Sequence, residues 1–252
     1  MPILAAVGSV LLLLVGFVAA WPYLTRRPAL SPVEERDAGA LLADRDAARL
    51  ELTQGKFQRG RRLLDEVLNQ RDRRPALLTA EQNRDLNQLH RQADLLARLL
   101  TRTPEDIIRQ GKLVRDPDEW DAQFGDYRGR TIILDDLFRR DHDSRPVPAT
   151  DILEVGQEVV RLAIEELELL QDLPLNDSPR LIFGARLASC RREEGGAWVI
   201  RFEADSGVLI TDPDLWQACS SADLDDDTRR VFARQREWLE KGSLVAPARR
   251  GP

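Results

Sequence analysis

Tyr127-Arg128-Gly129-Arg130-Thr131-Ile132-Ile133-Leu134 is the stretch on which the chain changes character. Upstream of it, apolar residues recur at three- and four-residue steps, the period of a helix with one buried face. From Thr131 onward they come in short runs rich in β-branched and aromatic side chains, which suit a pleated, half-buried surface. The octapeptide therefore predicts an α+β protein, with helices first and strands second.

On the upstream side, Leu41, Leu42, Ala48 and Leu52 form one apolar stripe, and Phe57, Leu63, Leu64, Val67 and Leu68 form a second. Gln54-Gly55-Lys56 breaks them, because glycine ends one helix and lets the next fold back on it. Thr79, with Gln82 three residues on, has capping-box spacing and opens a helix running to Thr101. Thr103-Pro104-Glu105-Asp106 opens a short one, since proline and acidic residues suit the first turn. Asp116 to Phe124 is read as one more turn or two.

The stretch Gln54-Gly55-Lys56-Phe57-Gln58-Arg59-Gly60 resembles the turn of a tetratricopeptide repeat over residues 40–71. Gly55 falls at the turn, Phe57 at the packing aromatic and Gly60 at the small-residue position of the second helix. Ala47 and Ala48 fall near the leucine-glycine pair of the first helix, and Val67 near the later alanine. Asp44 and Glu51 depart from the family's aromatic and tyrosine, and Pro75 arrives late. The resemblance implies a single helical hairpin, since an array needs about three repeats to bury a continuous core.

On the downstream side, Ile152–Val155 and Val159–Ile164 read as strands across Gly156-Gln157. Glu165 to Leu173 favours helix, and Leu181 to Arg191, Trp198–Phe202 and Val208–Ile210 read as further strands. A terminal helix from Leu224 to Leu239 is capped by Asp225-Asp226-Asp227. The order of these elements, and the Tyr127–Leu134 octapeptide with its tyrosine and glycine ahead of an apolar run, resemble an OB-fold. That implies an antiparallel barrel. The other arrangement compatible with the residues is an irregular α+β domain with an antiparallel meander.

At the far end, Ile3 to Trp21 runs 19 residues without a charge. At about 1.5 Å per helical residue, it approaches the roughly 30 Å of a bilayer's hydrocarbon core. Trp21 and Tyr23 suit the interface, and Arg26 and Arg27 suit the headgroups. We read residues 1–25 as a transmembrane anchor holding the bilayer through residues 3–23. A cleaved signal peptide, with Val18-Ala19-Ala20 as its cleavage site, lacks a basic residue ahead of the apolar run. The basic residues beyond the span place the body in the cytoplasm, as a single-pass protein of the cell membrane.

All the charge lies beyond Thr25, and the net of −6 argues against a nucleic-acid partner, which would need a positive surface. The candidate barrel offers only Trp198 and Phe202 for base stacking, with acids interspersed. Arginine far outnumbers lysine, a usage typical of GC-rich bacterial genomes, and the chain looks similar to singly anchored proteins of such bacteria. Cys190 and Cys219 are too few for a disulfide scaffold. They would pair only in an exported body.

No side-chain pattern compels a reaction. Asp141-His142-Asp143 could supply ligands to a divalent cation, but neighbours in a strand face opposite ways and, with Ser144, Arg145 and Pro146 next, a solvated loop is expected. Asp135-Asp136 fails as an acid–base pair for the first of these reasons, and His90, on a polar helical stretch, is expected at the surface rather than as a base. Gly195-Gly196 lies between two strands rather than ahead of a helix, so it is no phosphate loop. No catalytic, cofactor-binding or metal-binding residue is assigned, and no cofactor is expected.

The sequence thus divides into an anchor (1–25), a linker (26–38), a helical hairpin region (39–115), a β-rich domain with a terminal helix (116–242) and a tail (243–252). The expected function is a membrane-anchored interaction or scaffolding protein with a protein partner. The alternatives are a membrane-tethered enzyme with its site in the β domain and an exported protein.

Overall fold

A computed structural model describes residues 31–241, apart from 101, 144, 150–151, 156–157, 172, 176–178, 194–195 and 221–222. The apolar run 3–21 and the tail 243–252 lie outside the described residues. Among the described residues, no helix is long and apolar enough to cross a membrane.

Helix α1 (Pro32–Thr53) begins inside the stretch expected to be a linker. Its start is local chemistry. The Ser31 hydroxyl accepts from the Glu34 N–H, Glu34 reaches back to the Ser31 N–H at 2.8 Å, and Pro32 fills the first turn, where its missing N–H costs nothing. Gly55, at φ +75°, turns the chain into α2 (Phe57–Arg73). The two helices touch at Gly60, where a Cβ would stand 2.5 Å from Leu52 Cδ2 and 3.0 Å from the Ala48 carbonyl oxygen. Helix α3 (Ala80–Ala97) is capped by the Thr79–Gln82 box. These helices share a core of Leu41, Leu52, Leu64, Leu86 and Leu96 that also takes in Val208 and Leu215 from the C-terminal part of the chain.

Helices α4 (Pro104–Gly111) and α5 (Pro117–Phe124) belong to a different core. Their Ile107, Ile108, Trp120 and Phe124 pack with Phe138, Phe183 and Ile200 of the sheet. The boundary expected between residues 115 and 116 therefore cuts through one packed cluster.

The strands are β1 (Thr131–Arg140), β2 (Pro146–Pro148), β3 (Ile152–Val155), β4 (Glu158–Ala163), β5 (Arg180–Arg192), β6 (Trp198–Phe202) and β7 (Val208–Leu209). They form one curled, half-barrel sheet in the order β2-β1-β5-β6-β4-β3, with β7 on β5. β5 is the spine. Its first half pairs antiparallel with β1, from Thr131 opposite Arg186 to Leu137 opposite Arg180, and its second half pairs with β6. A register shift between Leu187 and Ser189 marks a bulge, which lets one strand bend to serve two neighbours.

The expectation of a wholly antiparallel sheet is corrected at β4 and β6, which run parallel with Val160 opposite Trp198. After Ala163 the chain passes through α6 (Glu168–Gln171) and the whole of β5 before β6 forms, a crossover long enough for parallel pairing.

Two short helices close the chain: α7 (Pro213–Cys219), which the sequence reading missed along with β2, and α8 (Asp226–Glu240). Gln235 of α8 is fully buried against the sheet. Its Oε1 accepts from Ile182 N–H at 2.8 Å, and its Nε2 donates to the carbonyls of Ile182 at 3.0 Å and Ile210 at 2.5 Å. One side-chain amide thus ties α8 to β5 and to the residue that follows β7.

Candidate functional site

A cleft of about 700 Å³ opens where α1, α3, the β7–α7 link and the end of α8 converge. Each wall is positioned by a polar contact across that junction. Gln92 of α3 accepts from the Thr211 N–H at 3.0 Å, and Gln88 donates to the Leu209 carbonyl at 2.9 Å. Arg236 of α8 donates to the Thr211 carbonyl at 3.0 Å.

On the other side, Arg49 Nε reaches Asp212 Oδ2 at 2.8 Å, and its Nη2 reaches Asp214 at 3.1 Å. The hydrogen bond to Asp212, foremost, raises the Arg49 guanidinium above its ordinary value. Asp212 also caps α7, accepting from the Asp214 N–H at 3.0 Å. The floor is apolar at Leu89 and Leu239. At the rim, the side chains of Glu81, Arg84, Asp85 and Glu240 make no ion pair or hydrogen bond among the described residues.

The sequence reading gave no hint of this cleft, although one of its pieces was in plain sight. Asp212-Pro213-Asp214 repeats the Asp116-Pro117-Asp118 pattern found at the start of α5, with aspartate as cap and proline in the first turn.

Asp141, His142 and Asp143 lie in the turn that follows β1, which ends at Arg140. Their ligand atoms lie within 4.8 Å of one another. Arg145 already serves this group. Its backbone N–H and guanidinium bind Asp141 at 2.8 and 3.1 Å, and its Nη2 binds Asp143 at 2.8 Å. The Arg145 N–H, above all, holds the Asp141 carboxyl below its usual range. A cation would have to displace that guanidinium from an exposed turn.

His90 is not on an open surface as expected. It is half-buried, with Nε2 2.7 Å from Asp65 Oδ1, and ties α3 to α2. Asp135 is taken by Arg180, which grips both its oxygens at 2.7 and 2.8 Å and reaches Asp227 of α8 at 2.8 Å. Asp136 turns back to accept from the Leu137 N–H at 2.7 Å. Asp225 caps α8 through the Thr228 N–H at 2.7 Å, as the acidic run predicted. Cys190 and Cys219 are free thiols, pushed up to about 12 and about 11 by burial.

The chain matches no family model, no curated protein and no solved structure. Its chemistry is therefore read from the geometry alone. The 700 Å³ cleft offers charges of both signs over an apolar floor.

Proposed function

We propose that this chain is a single-pass, membrane-anchored interaction module that receives a protein partner in the cleft between α1, α3 and α8. The observation that carries the reading is the rim of Glu81, Arg84, Asp85 and Glu240 above Leu89 and Leu239, whose charged side chains have no partner among the described residues. Charged groups that are not spent inside the fold, around an apolar floor, are what a complementary surface needs for orientation and register. The tether rests on the uncharged run Ile3–Trp21, with residues 3–23 in the bilayer. Arg26 and Arg27 favour a cytoplasmic body. Arg145 across Asp141 and Asp143 argues against a metal-dependent enzyme at that turn.

The test combines location with contact. A photo-crosslinking side chain is placed at Glu81 in the full chain, and membranes are washed at alkaline pH before illumination. The intact chain is expected to stay in the pellet and give one discrete crosslinked species. The double reversal Arg84→Glu with Asp85→Arg is expected to reduce that species about tenfold, the cost of roughly 1.4 kcal/mol of lost complementarity. A mature chain beginning at Trp21, an intact chain released by the wash, or a crosslink indifferent to the reversal overturns the proposal.

A further inference from the structure

We propose that a second cleft, of about 610 Å³, between the α4–α5 link and the far end of β5 is a binding site for a phosphorylated small molecule. It shares no lining residue with the first cleft. Its volume is that of sites which enclose small organic ligands.

The electrostatics set the sign of the ligand. In a chain of net charge −6, this cleft is lined by Lys112, Arg115, Arg191 and Arg192 against two carboxylates, Asp118 and Asp121. Asp121 is already shared between Arg191 at 3.1 Å and Arg128 at 3.6 Å. Arg115 makes no side-chain hydrogen bond or ion pair among the described residues. The cations enter from two separate elements, Lys112 and Arg115 from the link and Arg191 and Arg192 from β5. An anion with several oxygens, as in a phosphate group, can be met from both sides at once.

The floor supplies the independent observation. It is built from Trp120 and Trp198, packed edge to face with centroids 6.0 Å apart. Gly111 closes over them, where a Cβ would meet Trp198 Cη2 at 2.7 Å and Trp120 Cε2 at 3.1 Å. Trp120 is satisfied, its Nε1 donating to the Cys190 carbonyl at 2.7 Å. Trp198 is not. It is only 5% exposed, and its Nε1 is buried without a hydrogen-bond partner. Among the described residues, seven buried side-chain N or O atoms lack such a partner; Trp198 Nε1 is one of them, and none of the seven belongs to the first cleft. A buried donor normally finds an acceptor. Trp198 lines the cleft, so its indole N–H reports on what occupies it.

The experiment follows the indole N–H resonance of Trp198 in the full chain, labelled at tryptophan and assigned by Trp198→Phe. Inorganic phosphate and glycerol phosphate are titrated separately at constant ionic strength. A saturable shift with either probe is expected. A tighter curve for the ester means that the organic body is held, and equal curves mean that the phosphate ion alone is recognised. Lys112→Ala with Arg115→Ala, both at exposed positions, is expected to weaken binding about tenfold or more, whereas Arg84→Ala in the first cleft leaves it unchanged. An unmoved resonance with both probes, or a shift untouched by the double variant, overturns the proposal.

Discussion

Cys190 has no partner but the core around it. It is fully buried on β5, and burial alone pushes its thiol up to about 12. An unfolded thiol ionises near pH 8.5, so above that pH the unfolded chain releases a proton that the folded chain keeps. Below it, both states hold the proton and stability is indifferent to this residue. Between about pH 9 and 11 stability falls as pH rises, by roughly 1.4 kcal/mol per unit for this group. Urea midpoints measured across that window are expected to show a shallower decline in Cys190→Ala than in the parent. Equal slopes would mean that the thiol is not held neutral. The absolute stability of the variant does not enter, because the slope isolates proton uptake from packing.

Between elements, space decides what composition cannot. Gly39 and Gly60 both sit inside helices, where glycine costs about 1 kcal/mol relative to alanine. Around Gly39 nothing lies within 4 Å of a built Cβ, whereas at Gly60 the Leu52 side chain and the Ala48 carbonyl stand at 2.5 and 3.0 Å. Gly39→Ala is therefore expected to stabilise the protein by up to about 1 kcal/mol. Gly60→Ala gains the same propensity but incurs an overpacking cost of about 1–3 kcal/mol, so it destabilises on balance. Thermal melts of the two variants moving in the same direction would contradict the hairpin geometry. Gly60 also shows how much of this level was legible in advance. The turn at Gly55, the caps at Thr79 and Thr103 and the aspartate–proline start of α5 are encoded within a few residues, and the sequence reveals them. The parallel pairing of β4 with β6 and the bend of β5 depend on what returns after a long excursion, which no local pattern records. The first cleft is further out of reach, since Gln92 and Thr211 meet across 119 residues. The one local signal there, the Asp212-Pro213-Asp214 start of α7, went unread, and it has no bearing on a cleft until α1 and α3 are placed against it.

At the scale of the whole molecule, the helical region and the sheet are not independent units. Leu95 and Leu96 of α3 share a cluster with Val208 and Leu215, and Arg98 and Leu100 bond Thr131 through their backbones at 2.9 and 2.8 Å. Leu95 also leans on β5, where a Cβ on Gly184 would meet its Cδ1 at 2.3 Å. The probes of the two halves are conveniently separate. Among the described residues, the three longest helices are α1, α2 and α3, whereas Trp120, Trp198, Trp216 and Trp238 all follow α4; the fifth tryptophan, Trp21, is replaced by phenylalanine for the measurement. If the halves fold as one, helix loss by circular dichroism and tryptophan exposure by fluorescence share a single urea midpoint. Leu95→Ala, which removes a buried contact common to both, is expected to cost about 2–5 kcal/mol and to move the two midpoints together. Helix signal lost at lower urea than the tryptophan signal, or a Leu95→Ala effect on one probe alone, would show that α3 is only resting on the sheet. The first cleft would then be a hinge rather than a fixed surface, because α1 and α3 form one of its walls and α8 the other.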